Sequence, residues 1–148
     1  MRIGSILENQ KFEKRIAITP EIVKKYISLG FEVCLIENYG SHIGIKDQQY
    51  KDMGVKISKD ESEILNSSDI IVQLGIMSDD KISKMKENQT LIGVLNPYDN
   101  KEKLENLAKK KINLFSLELL PRITRAQSMD ILSSQANLAG YKAVIETF

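Results

Sequence analysis

Residues 69–74 read DIIVQL, and residues 90–95 read TLIGVL. Each is a short, almost continuous apolar run with the length of a strand rather than of a helix. Such runs are typical of strands in a parallel sheet that helices cover on both faces, because neither face of the strand meets water. The two stretches therefore predict the buried centre of an α/β sheet.

Strand patterns and helix patterns alternate on both sides of these runs. Further strands are predicted at RIGSIL (2–7), FEVCLIE (31–37), VKI (55–57) and INLFSL (112–117). Helices are predicted from Pro20 to Gly30, over 47–53, 61–68, 78–86 and 100–111. Thr19 precedes the first helix as its N-cap, Pro20 occupies its first position and Gly30 ends it. Five or six short strands separated by helices predict an α/β fold with a Rossmann-like, doubly wound, mostly parallel sheet and flanking helices.

Composition excludes several classes of protein. The chain has 148 residues, enough for one domain or for part of a larger protein. Its 21 Lys and Arg nearly balance its 20 Asp and Glu, so no overall field favours nucleic acid or an anionic membrane. Cys34 is the only cysteine and is predicted to be a buried side chain in a reducing compartment. Without a long apolar run or a signal-peptide pattern, we expect a cytoplasmic protein with no direct membrane span.

Phosphate-binding glycine loops are absent from the sequence. The chain contains neither G-x-G-x-x-G nor G-x-x-x-x-G-K-[ST], and the nearest stretch, YGSHIGI (39–45), has the wrong glycine spacing. We interpret that stretch as a turn. His42 lies in it without neighbouring ligand residues, so we expect an exposed loop histidine and no metal site.

The stretch RITRAQSMDILSSQANLAGY (122–141) carries only three side chains that are charged at neutral pH, Arg122, Arg125 and Asp130. On a helix beginning near Arg125, an apolar stripe is predicted to pack on the sheet: Met129, Leu132, Ala136, Ala139 and Ala143. A second arc carries side chains that donate or accept hydrogen bonds: Gln127, Asp130, Ser133, Ser134, Asn137 and Tyr141. This arc suits a ligand or partner surface, and it equally suits helix packing with locally satisfied hydroxyls. The pattern alone leaves both alternatives open.

Two segments resemble one known family. ELLPRITRAQSMDILSSQANLAGYKAVIE (118–146) resembles the N-terminal part of the α subunit of proton-translocating NAD(P) transhydrogenase, a family related to alanine dehydrogenase. KFEKRIAITPEIVKKYISLGFEV (11–33) resembles the start of the same family, where an Arg-x-Ala-x-Thr-Pro-Glu run leads into the first helix. Between these ends the similarity is of layout more than of residues.

The resemblance implies how the chain is organised and what it belongs to. Residues 1–124 would form the N-terminal-type lobe, and residues 125–148 would begin the long inter-lobe helix that leads to a NAD-binding lobe. That glycine-rich lobe is not among these residues, which explains the missing fingerprint. The implied activity is hydride transfer between NAD(H) and NADP(H) coupled to proton translocation, with the fragment inactive alone. NADP(H) would be bound by a partner membrane subunit or domain, and the protein would be a homodimer peripheral to the inner membrane.

The resemblance also assigns cofactor-binding positions. Arg122, Gln127, Asp130 and Ser133 match family residues at the nicotinamide end of NAD(H). Arg122 and Gln127 would hold the nicotinamide region, with Gln127 facing the NADP(H)-carrying partner. Asp130 and Ser133 would hydrogen-bond the carboxamide and neighbouring groups. No catalytic acid or base is expected, because hydride transfer needs only two rings held in contact.

The sequence departs from alanine dehydrogenase at two positions. In that enzyme a catalytic Lys follows the strand corresponding to DIIVQL, and a His follows the one corresponding to TLIGVL. Here these strands lead into QLGIMSDD (73–80) and NPYDN (96–100), which contain neither residue. Arg15 matches an arginine that binds the substrate carboxylate in alanine dehydrogenase, and its role here is left open between binding and structure. The alternatives are an alanine dehydrogenase-like fragment and a non-catalytic docking or dimerisation lobe.

Overall fold

A computed structural model describes residues 1–147 of the protein. Within these residues six strands form one parallel sheet: β1 (Arg2–Ser5), β2 (Glu32–Ile36), β3 (Lys56–Ser58), β4 (Ile70–Val72), β5 (Thr90–Gly93) and β6 (Asn113–Ser116). Their order across the sheet is β3-β2-β1-β4-β5-β6. The order reverses between β1 and β4, which is the arrangement of a doubly wound Rossmann-like sheet. The predicted fold class is confirmed, and the sheet is parallel throughout.

The helices occupy the predicted connections. Successive strands are joined by α1 (Pro20–Ser28), α2 (Asp47–Lys51), α3 (Glu61–Ser67), α4 (Asp79–Ser83) and α5 (Lys101–Lys109), and α6 (Ile131–Thr147) follows the last strand. Several are shorter than predicted. Helix α4 ends at Ser83, and the N–H groups of Lys84 and Met85 donate to carbonyls only three residues earlier. The N–H of Lys86 donates to the Gln89 side chain, 2.6 Å away.

Local capping signals are in place. Pro20 is the first residue of α1, and Gly30 just beyond its end has a φ of 84°, which glycine adopts without strain. The Asp60 carboxylate accepts the N–H of Ser62 at 2.8 Å and so caps α3. Cys34 is buried as predicted, and burial raises the pKa of its thiol. A buried thiol of this kind is a packing residue rather than a nucleophile.

Two tyrosines fix the end of the loop between β1 and α1. The Tyr39 hydroxyl accepts the N–H groups of Ala17 and Ile18 at 3.1 and 3.2 Å. The Tyr50 hydroxyl donates to the Ile18 carbonyl at 2.9 Å, and the two rings meet edge to face. At the protein surface, the exposed His42 ring forms a hydrogen bond of 2.8 Å with the Lys14 carbonyl. The loop is therefore anchored both in the core and at the surface.

The last helix differs from the sequence prediction. Residues Thr124–Met129 form a 3-10 helix, and α6 begins only at Ile131. The prediction that an apolar stripe packs on the sheet was wrong, because Met129 is 53% and Leu132 44% exposed. No side chain of Ile131–Thr147 is buried. Periodicity identifies which residues share a helix face, but it does not say whether the sheet covers that face.

Candidate functional site

The four predicted cofactor-binding residues converge on one surface depression. It has a volume of about 330 Å³ and is lined by Arg122, Ile123, Thr124, Gln127, Asp130 and Ser133. The 3-10 helix Thr124–Met129 turns the chain tightly here, and the N–H of Asp130 donates to the Gln127 carbonyl at 3.3 Å. This turn brings Arg122 and Gln127 to the same opening as the first turn of α6.

Asp130 is the N-cap of α6. Its Oδ1 accepts the N–H groups of Leu132 and Ser133 at 3.0 and 3.1 Å, and its Oδ2 accepts the Ser133 hydroxyl at 2.6 Å. The hydrogen bond from the Ser133 side chain, followed by those from the backbone, lowers the pKa of Asp130. The carboxylate therefore stays ionised at neutral pH and is held in one orientation.

This arrangement decides what each group can offer a ligand. Because the Ser133 proton is donated to Asp130, the Ser133 oxygen has only lone pairs left and can accept an N–H. Arg122 and Gln127 are exposed, and their side chains form no hydrogen bond within residues 1–147. The guanidinium can donate, and the amide can both donate and accept. The depression thus combines two uncommitted polar side chains with one fixed acceptor pair.

A larger crevice lies at the carboxyl ends of β1 and β4. Its volume is about 510 Å³, and its lining includes Leu7, Glu8, Phe12, Gln73, Met77 and Lys81. Open α/β sheets commonly bind ligands at such a reversal of strand order. Glu8 and Gln73 were not among the residues predicted to be functional. The signal that could have found them was the strand order, which places the ends of β1 and β4 side by side.

Arg15 is occupied within its own loop. Its Nε and Nη2 donate to the two carboxylate oxygens of Glu13 at 2.9 and 2.6 Å, and this bond lowers the pKa of Glu13. The residues after β4 are Gln73, Leu74 and Gly75, without a lysine. Arg15 is thus already paired, and no lysine directly follows β4.

The parallel sheet and the polar segment before α6, residues 122–130, are both consistent with one protein family. The chain belongs to the family described as alanine dehydrogenase/PNT, N-terminal domain, whose model matches residues 5–139. Within that family it is similar to NAD(P) transhydrogenase subunits alpha. It is 42% identical over 150 residues to such a subunit from Rickettsia prowazekii, and 40% identical over 151 residues to one from Rhodospirillum rubrum. Each alignment covers 99% of this chain but only 39% of the relative.

Solved structures show the same pattern. The transhydrogenase from Sinorhizobium meliloti superposes with a TM-score of 0.92 at 38% identity, over 99% of this chain and 43% of that chain. An L-alanine dehydrogenase superposes with a TM-score of 0.74 at 22% identity, over 80% of this chain and 32% of that chain, which supports the shared fold. Among residues 1–147 no helix has both the length and the apolar character needed to cross a membrane.

Proposed function

We propose that this chain is part of the NAD(H)-binding α subunit of a proton-translocating NAD(P) transhydrogenase. The single observation that carries the proposal is the convergence of Arg122, Gln127, Asp130 and Ser133 on one depression. The similarity to transhydrogenase subunits along 99% of the chain supports the same assignment. Since the chain spans about two fifths of those relatives, the complete activity requires further polypeptide.

In this proposal the depression binds the nicotinamide end of NAD(H). Arg122 and Gln127 hold the nicotinamide region, and Gln127 faces the NADP(H) carried by the partner subunit. The Ser133 hydroxyl donates its hydrogen bond to Asp130, so the Ser133 oxygen is left to accept an N–H of the carboxamide. These residues position the ring for direct hydride transfer and supply no acid or base.

The exposed surface of α6 supports the proposed domain organisation. Residues 1–124 form the N-terminal lobe, and residues 125–148 lead towards a NAD-binding lobe. Apolar side chains on α6 remain more than half exposed: Leu138, Tyr141, Val144 and Ile145. Exposed apolar side chains of this kind suit burial against other parts of an assembly. We place the NADP(H) site and the proton path in partner membrane subunits, with a homodimeric α subunit peripheral to the inner membrane.

Substitutions in the depression test the proposal in an assembly completed with the remaining transhydrogenase components. Gln127→Asn keeps the amide but shortens it by one methylene. We expect single-turnover hydride transfer to fall on the order of 100-fold with a nearly unchanged NADH dissociation constant, because positioning is lost. Arg122→Ala should slow transfer and also weaken NADH binding roughly tenfold or more, because a charge-assisted hydrogen bond is lost.

Matched variants separate this role from general effects. Arg125→Ala and Gln135→Asn change exposed residues of the same types that do not line the depression. Both should leave the transfer rate and the NADH dissociation constant near wild type. Wild-type transfer rates in both Gln127→Asn and Arg122→Ala would refute the proposed role of this segment.

A further inference from the structure

Strands β1 and β4 separate at the crevice between them. Their backbone pairing joins Ile3 to Ile70 and Gly4 to Ile71 and does not extend further along the strands. Beyond that point the two chain segments must diverge, because β1 leads to the loop before α1 and β4 leads to the turn before α4. The contacts that hold these two rims together are made by side chains.

The first contact joins the side chain of Gln73, just after β4, to the end of β1, and it is buried in the core. Gln73 Oε1 accepts the N–H of Ile6 at 2.9 Å and lies 2.8 Å from the Ser5 hydroxyl. Gln73 is 2% exposed and Ser5 is fully buried. Withdrawing this buried acceptor is costly, because the N–H of Ile6 would lose its partner away from water, whereas the Ser5 hydroxyl also lies 2.7 Å from the Val72 carbonyl.

The second contact joins the side chain of Glu8, after β1, to the backbone after β4, and it borders the crevice. Glu8 Oε1 accepts the N–H of Leu74 at 2.5 Å. Burial raises the pKa of Glu8 more than the neighbouring backbone N–H groups lower it. The ionised side chain is therefore less favourably placed in this position than in water.

No ion pair holds the Glu8 carboxylate within residues 1–147. The charged groups that face it are already paired: Glu13 with Arg15 at 2.6 Å, Lys81 of α4 with Glu61 at 3.0 Å, and Lys103 of α5 with Asp79 at 3.6 Å. The contact consequently depends on the backbone N–H of Leu74.

We propose that Glu8 and Gln73 form a reciprocal latch across the crevice, in which Gln73 is the fixed half and Glu8 the releasable half. When Glu8 turns outward, the turn after β4 is freed and the crevice opens. Ile6 and Gln73 meanwhile keep β1 and β4 joined underneath. The latch is a property of the fold and is independent of the proposed cofactor role.

Amide hydrogen exchange of the purified protein, followed residue by residue, tests the latch. In Glu8→Ala the Leu74 amide should exchange about tenfold faster or more, because local opening exposes it. The Ile6 amide should stay within about twofold of wild type, because Gln73 still holds it. Glu13→Ala, in the same loop, should leave the Leu74 amide unchanged.

Methionine oxidation gives a second measurement of the opening. Met77 lines the crevice and is 5% exposed, whereas Met85 is 6% exposed and does not line it. In Glu8→Ala, peroxide should oxidise Met77 several-fold faster relative to Met85 in the same molecules. If Glu8→Ala does not fold, Glu8→Asp provides the test. Its side chain keeps the charge but is one methylene shorter, so it should show the same pattern of exchange and oxidation.

Two results would overturn the proposal. Unchanged exchange at Leu74 would show that Glu8 does not hold this rim. Equal acceleration at Ile6 and Leu74 would show that the two contacts open together, so that neither half is separately releasable.

Discussion

Tyr39 is a single buried residue that fixes a long surface loop. Its hydroxyl is the acceptor for two consecutive N–H groups, Ala17 and Ile18, and it lies 2.8 Å from the Ser5 hydroxyl. Burial raises the pKa of Tyr39, so it remains a neutral phenol at physiological pH. One oxygen atom thus connects the loop that carries Arg15 to strand β1.

Tyr39→Phe keeps the ring and removes this oxygen. The N–H groups of Ala17 and Ile18 would then lack an acceptor, and we expect the free energy of unfolding to fall by roughly 1–3 kcal/mol. Urea denaturation with an unchanged m-value would measure the loss. Tyr98→Phe is the control, since Tyr98 is 90% exposed and should leave stability unaltered. Equal stability of the two variants would contradict the role given to the Tyr39 hydroxyl.

Helix α6 depends on one side chain for its beginning. Asp130 occupies the N–H groups of Leu132 and Ser133, and the N–H of Ser134 donates to the Asp130 carbonyl at 3.3 Å. Because no side chain of α6 is buried among residues 131–147, packing adds little to its stability. The cap therefore both starts the helix and holds Ser133 in the depression.

The cap makes the first turn of α6 sensitive to acid. The pKa of Asp130 is lowered from 3.8, so its stabilisation of the helix is complete above that value and is lost as the pH falls through the lower folded pKa. Asp130→Ala should speed amide exchange at Leu132 and Ser133 at neutral pH and abolish the acid dependence. Asp130→Asn should retain protection without the acid dependence.

Ser134→Ala is the comparison within the same turn, because it removes a hydroxyl that donates to the Ile131 carbonyl without touching the cap. Its exchange rates at Leu132 and Ser133 should match wild type. Faster exchange in Ser134→Ala than in Asp130→Ala would mean that Asp130 is not the group that begins α6.

Within the fold, the apolar core around the sheet is buried, whereas the last helix is largely exposed. The sheet and five connecting helices bury the apolar core, whereas α6 leaves its apolar side chains exposed. The N–H groups of Leu132 and Ser133 in its first turn are occupied by Asp130 and so are not free to bind a phosphate. The 148-residue chain also lacks a glycine-rich phosphate loop.

We therefore expect the 148-residue polypeptide to bind NAD(H) weakly or not at all. The depression can engage only the nicotinamide end, because the adjacent first turn of α6 has its Leu132 and Ser133 N–H groups occupied and cannot receive the pyrophosphate through them. Isothermal titration calorimetry should show no saturable binding in the micromolar range, and the completed transhydrogenase assembly serves as the positive control. Micromolar affinity in the polypeptide alone would place a full dinucleotide site within these residues.

Local sequence was sufficient to predict the fold class, the order of elements and, to within one residue, the starts of α1 to α5. These features depend on local physics: apolar runs such as DIIVQL identify buried strands, and Pro20, Gly30 and Asp60 act on backbone groups within a few residues of themselves. The gathering of Arg122, Gln127, Asp130 and Ser133 was likewise predictable, because the four lie close together along the chain. Their roles came from family resemblance and remain predictions.

Contacts between distant segments, in contrast, were established by the tertiary structure alone. Glu8 and Leu74 are 66 positions apart, and Tyr39 reaches residues 21 and 22 positions away. The strand order brings each pair together, and no local pattern encodes that order. The predicted packing of α6 on the sheet failed for the same reason. Helical periodicity depends on neighbours along the chain, whereas burial depends on which other elements the fold places against the helix.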